Sequence, residues 1–159
     1  MTVNEILILV RQRLGDMQKV TFSDEELVHC LNDAMDDMCI SMANSYEPEI
    51  LKQITLVDTG VELPEDFIAW QGQFALSYQE GEDGKTYIYP LDSEWGGEND
   101  TLKYFAYKPH FTSMEDEIPF RTGTHCKRLM NLCIQQIKPS TGGGSGDSQG
   151  ASNASSSAG

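Results

Sequence analysis

The sequence predicts an α+β protein in which a helix pair at the start and one helix near the end form a helical bundle, with a small antiparallel sheet inserted between them. Three observations carry that prediction. Apolar residues recur at three- and four-residue steps over residues 2–14, 23–43 and 123–138. Between residues 51 and 108 this period gives way to short alternating runs punctuated by Gly and Pro. Helices and strands are also segregated along the chain, where a wound parallel sheet would alternate them. With 159 residues the chain is sized for one domain or two small ones around a packed core. One domain is expected over residues 1–138, followed by a tail over 139–159.

The first helix opens on Thr2, Val3, Asn4 and Glu5, a spacing at which the Thr2 hydroxyl and the Glu5 carboxylate can each take a free backbone N–H. Val3, Ile6, Val10 and Leu14 follow on one face, and Gly15 stands where the helix should stop. The second start repeats the device with Ser23 and Glu26. Acids fill its first turn to suit the helix dipole, and Phe22 is placed to staple against Leu27. Leu27, Leu31, Ala34, Met38 and Met42 continue as one stripe, with Asp33, Asp36 and Asp37 largely on other faces.

Past Pro48, residues 51–57 read as a strand, Thr59 and Gly60 as a turn, and residues 61–64 as a short extended piece that Pro64 breaks. Residues 73–79 and 85–90 flank Glu80, Gly81, Glu82, Asp83 and Gly84, with Tyr87 and Tyr89 on one side of a hairpin. A loop at Gly96 and Gly97 leads to a strand at 101–108. Cys126, Leu129, Met130, Cys133, Ile134 and Ile137 then mark the last helix, with Lys138 near its negative end. Residues 139–159 hold almost only small and polar side chains, so a flexible tail is expected that orders only against a partner. Their irregular order is unlike a repeated engineered linker.

Lys and Arg number 11 against 25 Asp and Glu, a formal charge of -14. That argues against a surface built to bind nucleic acid, which needs clustered cations. The charge is uneven. Residues 1–120 carry 7 basic and 24 acidic side chains, residues 121–138 carry Arg121, Lys127, Arg128 and Lys138 with no acid, and the remainder carries Asp147 alone. An acidic body with one basic helix invites a head-to-tail contact between copies. No apolar run approaches the ~18 residues of a membrane span, so a soluble, intracellular protein without membrane contact is expected. Cys30, Cys39, Cys126 and Cys133 lie in helical patterns outside any C-x-x-C pair and read as reduced core thiols.

Catalytic and metal signatures are weak. His29 beside Cys30 and His125 beside Cys126 lack the ligand spacing of a zinc site. Adjacent helical residues point ~100° apart, which disfavours a His125/Cys126 dyad. Asp33 with Asp36 or Asp37 shows no contrast of environment that would mark an acid and a base, and residues 80–83 lack a calcium-loop pattern. Phosphate-cradling and nucleophile-elbow motifs do not occur. The expectation is a non-enzymatic protein with no cofactor and no metal.

The opening V-N-E-I-L at residues 3–7 is followed by S-D-E-E-L at 23–27, running into Leu31, Asn32 and Ala34, and then by L-P-E-D-F with Leu63, Pro64, Asp66 and Phe67. In this order Ser23, Asp24, Glu26 and Leu27 and the later motifs resemble the head-to-tail adaptor (connector) proteins of tailed bacteriophages, best over residues 1 to about 70. The resemblance implies a structural virion protein forming a homo-oligomeric ring, commonly of twelve copies, at the neck between portal protein and tail nozzle or tube, assembled in the host cytoplasm. Such a ring would carry on the order of -170 charges and let DNA pass without adhering. Arg121, Lys127, Arg128 and Lys138 would then pair with an acidic neighbour or the portal. Two other readings stand beside it: an acidic DNA-mimic inhibitor of a host nucleic-acid-binding protein, against which the acid-free residues 121–138 count, and a cell-wall hydrolase using a carboxylate pair.

Overall fold

The computed structural model of the chain describes residues 1–91 and 100–137. The protein is α+β, with three helices and two small antiparallel sheets among the described residues. The loop expected at Gly96 and Gly97, Lys138 and the tail 139–159 lie outside them. The described residues divide into two compact units, Met1–Met38 with residues 110–137, and Cys39–Pro109, so that the boundary falls inside the second helix.

In the first unit, α1 (Val3–Leu14) starts at the expected capping box: Glu5 N–H donates to Thr2 Oγ1 at 3.2 Å and Thr2 N–H to Glu5 Oε1 at 2.8 Å. It ends at Gly15, whose φ of 73° is the left-handed turn that glycine adopts without a Cβ clash. α2 (Asp24–Asn44) begins with the second box, Ser23 N–H to Glu26 Oε1 at 2.9 Å and Glu26 N–H to Ser23 Oγ at 3.0 Å. Its stripe of Leu27, Leu31, Ala34, Met35 and Met38 is fully buried, and Phe22 is half-buried. α3 (Gly123–Ile137) packs against α1 and buries Leu129, Met130 and Cys133. The start of the chain is sewn to the segment before α3, with Val3 N–H on Asp116 O and Asn4 N–H on Met114 O, both at 2.9 Å.

The second unit holds a 3-10 turn, Pro48–Ile50, and six strands: β1 (Leu51–Leu56), β2 (Val61–Glu62), β3 (Phe67–Trp70), β4 (Leu76–Glu80), β5 (Thr86–Pro90) and β6 (Asp100–Ala106). They form two three-stranded sheets, β1-β6-β3 and β2-β5-β4, where one small sheet was expected. β3 is the element the sequence reading did not anticipate. The break expected at Pro64 is only a turn, Phe67 N–H to Pro64 O at 3.2 Å, after which the chain re-enters extended structure and pairs with β6. β4 also begins at Leu76, later than the residue 73 expected. Leu56, Ile88 and Leu102 bury a core shared by the sheets, with Val61, Leu63, Trp70 and Leu76 packed on it. Ile88 points inward while Tyr87 and Tyr89 stay half-buried on the other face, as alternation requires. Gly60 turns the chain at φ 91° with the Tyr89 ring where a Cβ would sit, so only glycine fits.

Candidate functional site

Between α1 and α3 the first unit leaves an open groove of about 460 Å³. Its origin is visible in α1, where Ile6, Leu7, Ile8, Leu9 and Val10 form an unbroken apolar run. A helix that buries one stripe cannot bury five consecutive residues. Ile6, Leu7 and Val10 go inward, whereas Leu9 stays 38% exposed. The groove floor is Ile6, Leu9, Phe120 and Met130, and its rim carries Arg121 and Lys127, both exposed. Its described lining contains no Asp, Glu or His, so the arrangement suits binding an apolar side chain flanked by carboxylates more than moving a proton.

At the far end of α1 the architecture is polar. Arg11, 3% exposed, donates from Nη1 to Asp16 Oδ2 at 3.0 Å and to Phe22 O at 2.9 Å, and from Nη2 to Asp24 Oδ1 at 2.9 Å. Asp16, 5% exposed, accepts from the N–H groups of Val20, Thr21 and Phe22, each at 3.0 Å. The Thr21 N–H above all, then those of Phe22 and Val20 and the Arg11 charge, hold the Asp16 carboxyl below the usual carboxylate range despite burial. Asp24 is lowered likewise, first by the Arg11 hydrogen bond and then by Lys19. The loop so pinned runs through Lys19 at φ 60° and presents Val20 at 80% exposure and Met17 at 51%.

Of the four cations read from sequence, Arg121 and Lys127 meet at the groove rim, Arg128 is half-buried one position further along α3, and Lys138 lies outside the described residues. The residues that carried the family resemblance are built into the fold in two places. Ser23 and Glu26 cap α2, Asp24 joins the Arg11 network, and Leu27, Leu31 and Ala34 are core. Asn32 clamps a backbone: its Nδ2 donates to Phe111 O at 3.1 Å while its Oδ1 accepts from Phe111 N–H at 2.7 Å. In the second unit, Leu63 N–H donates to Thr86 O, Asp66 accepts from Lys52 and from Tyr104 Oη, and the Phe67 ring lies 4.8 Å from that of Trp70. Burial, then the Asp66 contact, push the Tyr104 hydroxyl up to about 12.

Asp36 meets His110 at 2.8 Å and Asp37 accepts from Gln136 at 3.1 Å, so both acids hold α2 to other parts of the first unit. Cys39 and Cys133 are buried, but Cys30 and Cys126 are only half-buried, which corrects the reading of all four as core thiols. Burial, then the nearby Cys30, raise the Cys133 thiol to about 12. No group of three or more His, Cys, Asp or Glu converges among the described residues, and none of their helices is long and apolar enough to cross a membrane. No protein-family model matches the chain, and no curated protein does.

Sequence reasoning singled out the rim but missed the floor and the loop. The five-residue apolar run was the available signal for the floor. Nothing local marks Arg11 and Asp16 as partners, because the first looks like a cation suited to a helix end and the second like a solvated turn residue.

Proposed function

We propose that the chain is a non-enzymatic structural subunit of a bacteriophage head-to-tail adaptor, assembling as a ring between portal and tail. In this reading the three helices pack as a bundle and make the ring body, the inserted strands present a surface to the tail nozzle or tube, and the acidic channel wall repels passing DNA. The observation that supports it best is the cation-rimmed apolar groove on a chain of charge -14. A subunit that must recognise copies of itself needs such complementary patches, and an uncovered apolar recess beside a helix without acids is the kind of surface that marks an interaction site. The sequence resemblance supplies the identity of the assembly.

The test is native mass spectrometry of the purified protein followed by co-sedimentation with portal rings. Twelve subunits of 17.7 kDa give a ring of ~212 kDa, and that ring is expected to pellet with portal. A stable monomer that fails to bind portal overturns the reading.

A further inference from the structure

We infer that the loop of residues 17–21 in one copy of this chain seats Val20, with Met17 beside it, in the α1–α3 groove of the next copy. This contact rests on the ring reading above and names the surface through which the subunits would meet. Three observations carry it.

The first is the loop itself. Burying an ion pair is expensive, and three backbone N–H groups are aimed at the Asp16 carboxylate, yet the product is a loop that holds an aliphatic side chain out in water. Held in one conformation, such a protrusion loses little entropy when it binds. The second is the match of chemistry. The recess offers Ile6, Leu9, Phe120 and Met130 beneath Arg121 and Lys127, and the loop is followed at the α2 start by exposed Glu25 and Glu26. Lys19, the one cation in the loop, is paired with Asp24. Apolar meets apolar, and carboxylate meets cation.

The third is position. The groove reaches along α1 as far as Leu9, the loop begins beyond Leu14, five residues or ~8 Å further on, and neither Met17 nor Val20 lines the groove of its own copy. A copy therefore does not fill its own groove, and Val20 stays 80% exposed. Each copy gives a loop to one neighbour and receives one from another, and such a heterologous contact builds closed rings when the rotation closes.

The experiment compares native masses of the full chain as wild type, Val20→Asp and Leu9→Glu, with circular dichroism of each. Both positions are exposed in the single subunit, so the variants keep the wild-type spectrum, while loss of assembly is free to lower the melt. A buried carboxylate in the contact is expected to raise the concentration needed for assembly at least about a hundredfold in either variant. Mixed one to one, the two variants retain one intact loop and one intact groove, and they form a dimer and nothing larger. A monomeric wild type, wild-type assembly by either variant, or a mixture that stays monomeric overturns the contact. Wild-type rings that ignore both substitutions and still bind portal leave the adaptor reading standing without this contact. Rings that depend on the contact and do not bind portal leave the contact standing without the adaptor.

Discussion

The two ends of α1 are built on opposite physics. At its start the polar work is a local helix cap, Thr2 with Glu5, and backbone, with Val3 and Asn4 bonded to the carbonyls of Asp116 and Met114, and the groove face that follows is apolar to the point of surplus. At its end the polar work is done by side chains, with Arg11 and Asp16 buried together and the loop amides gathered on one carboxylate. Both ends expose aliphatic groups, but for different reasons. Leu9 is exposed because the first unit leaves it uncovered, and Val20 because a charge network holds the chain that carries it away from the core. An exposed hydrophobic residue thus says little until its support is known, and it is the support that separates a recess from a protrusion.

The largest effect expected is at the polar end. Arg11→Met leaves Asp16 buried without its cation and strips Phe22 O and Asp24 of a donor, which should destabilise the fold by about 3 kcal/mol. Leu9→Ala, on the groove face in the middle of α1, removes a half-exposed side chain and should shift stability by less than about 1 kcal/mol. Urea unfolding midpoints of the two variants measure the contrast, and equal shifts would show that the network does not hold the loop.

Acid should separate the ends next. The Asp16 and Asp24 carboxyls lie lower in the folded chain than their unfolded value of about 4. Their stabilisation is therefore complete above that value and lost as pH falls through the lower folded values. Amide exchange of Val20, Thr21 and Phe22, whose acceptor is a carboxylate, should accelerate relative to Val3 and Asn4, whose acceptors are carbonyls that do not titrate. In Asp16→Asn the loop amides should lose that pH dependence. Loop amides that keep their pH dependence in Asp16→Asn would remove the carboxylate from its assigned role.

This contrast also explains what the sequence made legible. Thr2 with Glu5 and Ser23 with Glu26 could be read because both partners of each bond lie within one helical turn, and Leu31 and Ala34 because periodicity reports a buried face wherever that face is packed. Gly15 could be read because left-handed backbone has few tenants. Arg11 with Asp24 and Asn32 with Phe111 depend on where separate segments meet, which no local pattern encodes. β3 was lost for a related reason. Pro64 forbids helix and invites a break, but whether the chain resumes as a strand at Phe67 depends on β6 being there to pair with. For the candidate site, charge partition located Arg121 and Lys127, while the floor and the loop needed the packing of α1 on α3 and of Arg11 on Asp16.

The smallest effects lie at the helix cap that leads into the loop and within the loop, where two left-handed residues are held for different reasons. Gly15, at φ 73°, has open space where a Cβ would sit, so Gly15→Ala is opposed by backbone conformation alone and should cost about 1 kcal/mol. Lys19, at φ 60°, already bears that penalty, and Lys19→Gly relieves it. The same substitution frees the unfolded chain and removes an exposed ion pair with Asp24, 3.4 Å long, of a kind that contributes little. These contributions oppose one another, and the net change should stay within about 0.5 kcal/mol. Thermal melts of the two variants test the pair. A Lys19→Gly loss as large as that of Gly15→Ala would mean that the Lys19 side chain, and not only the Asp16 carboxylate, sets the course of the loop that carries Val20.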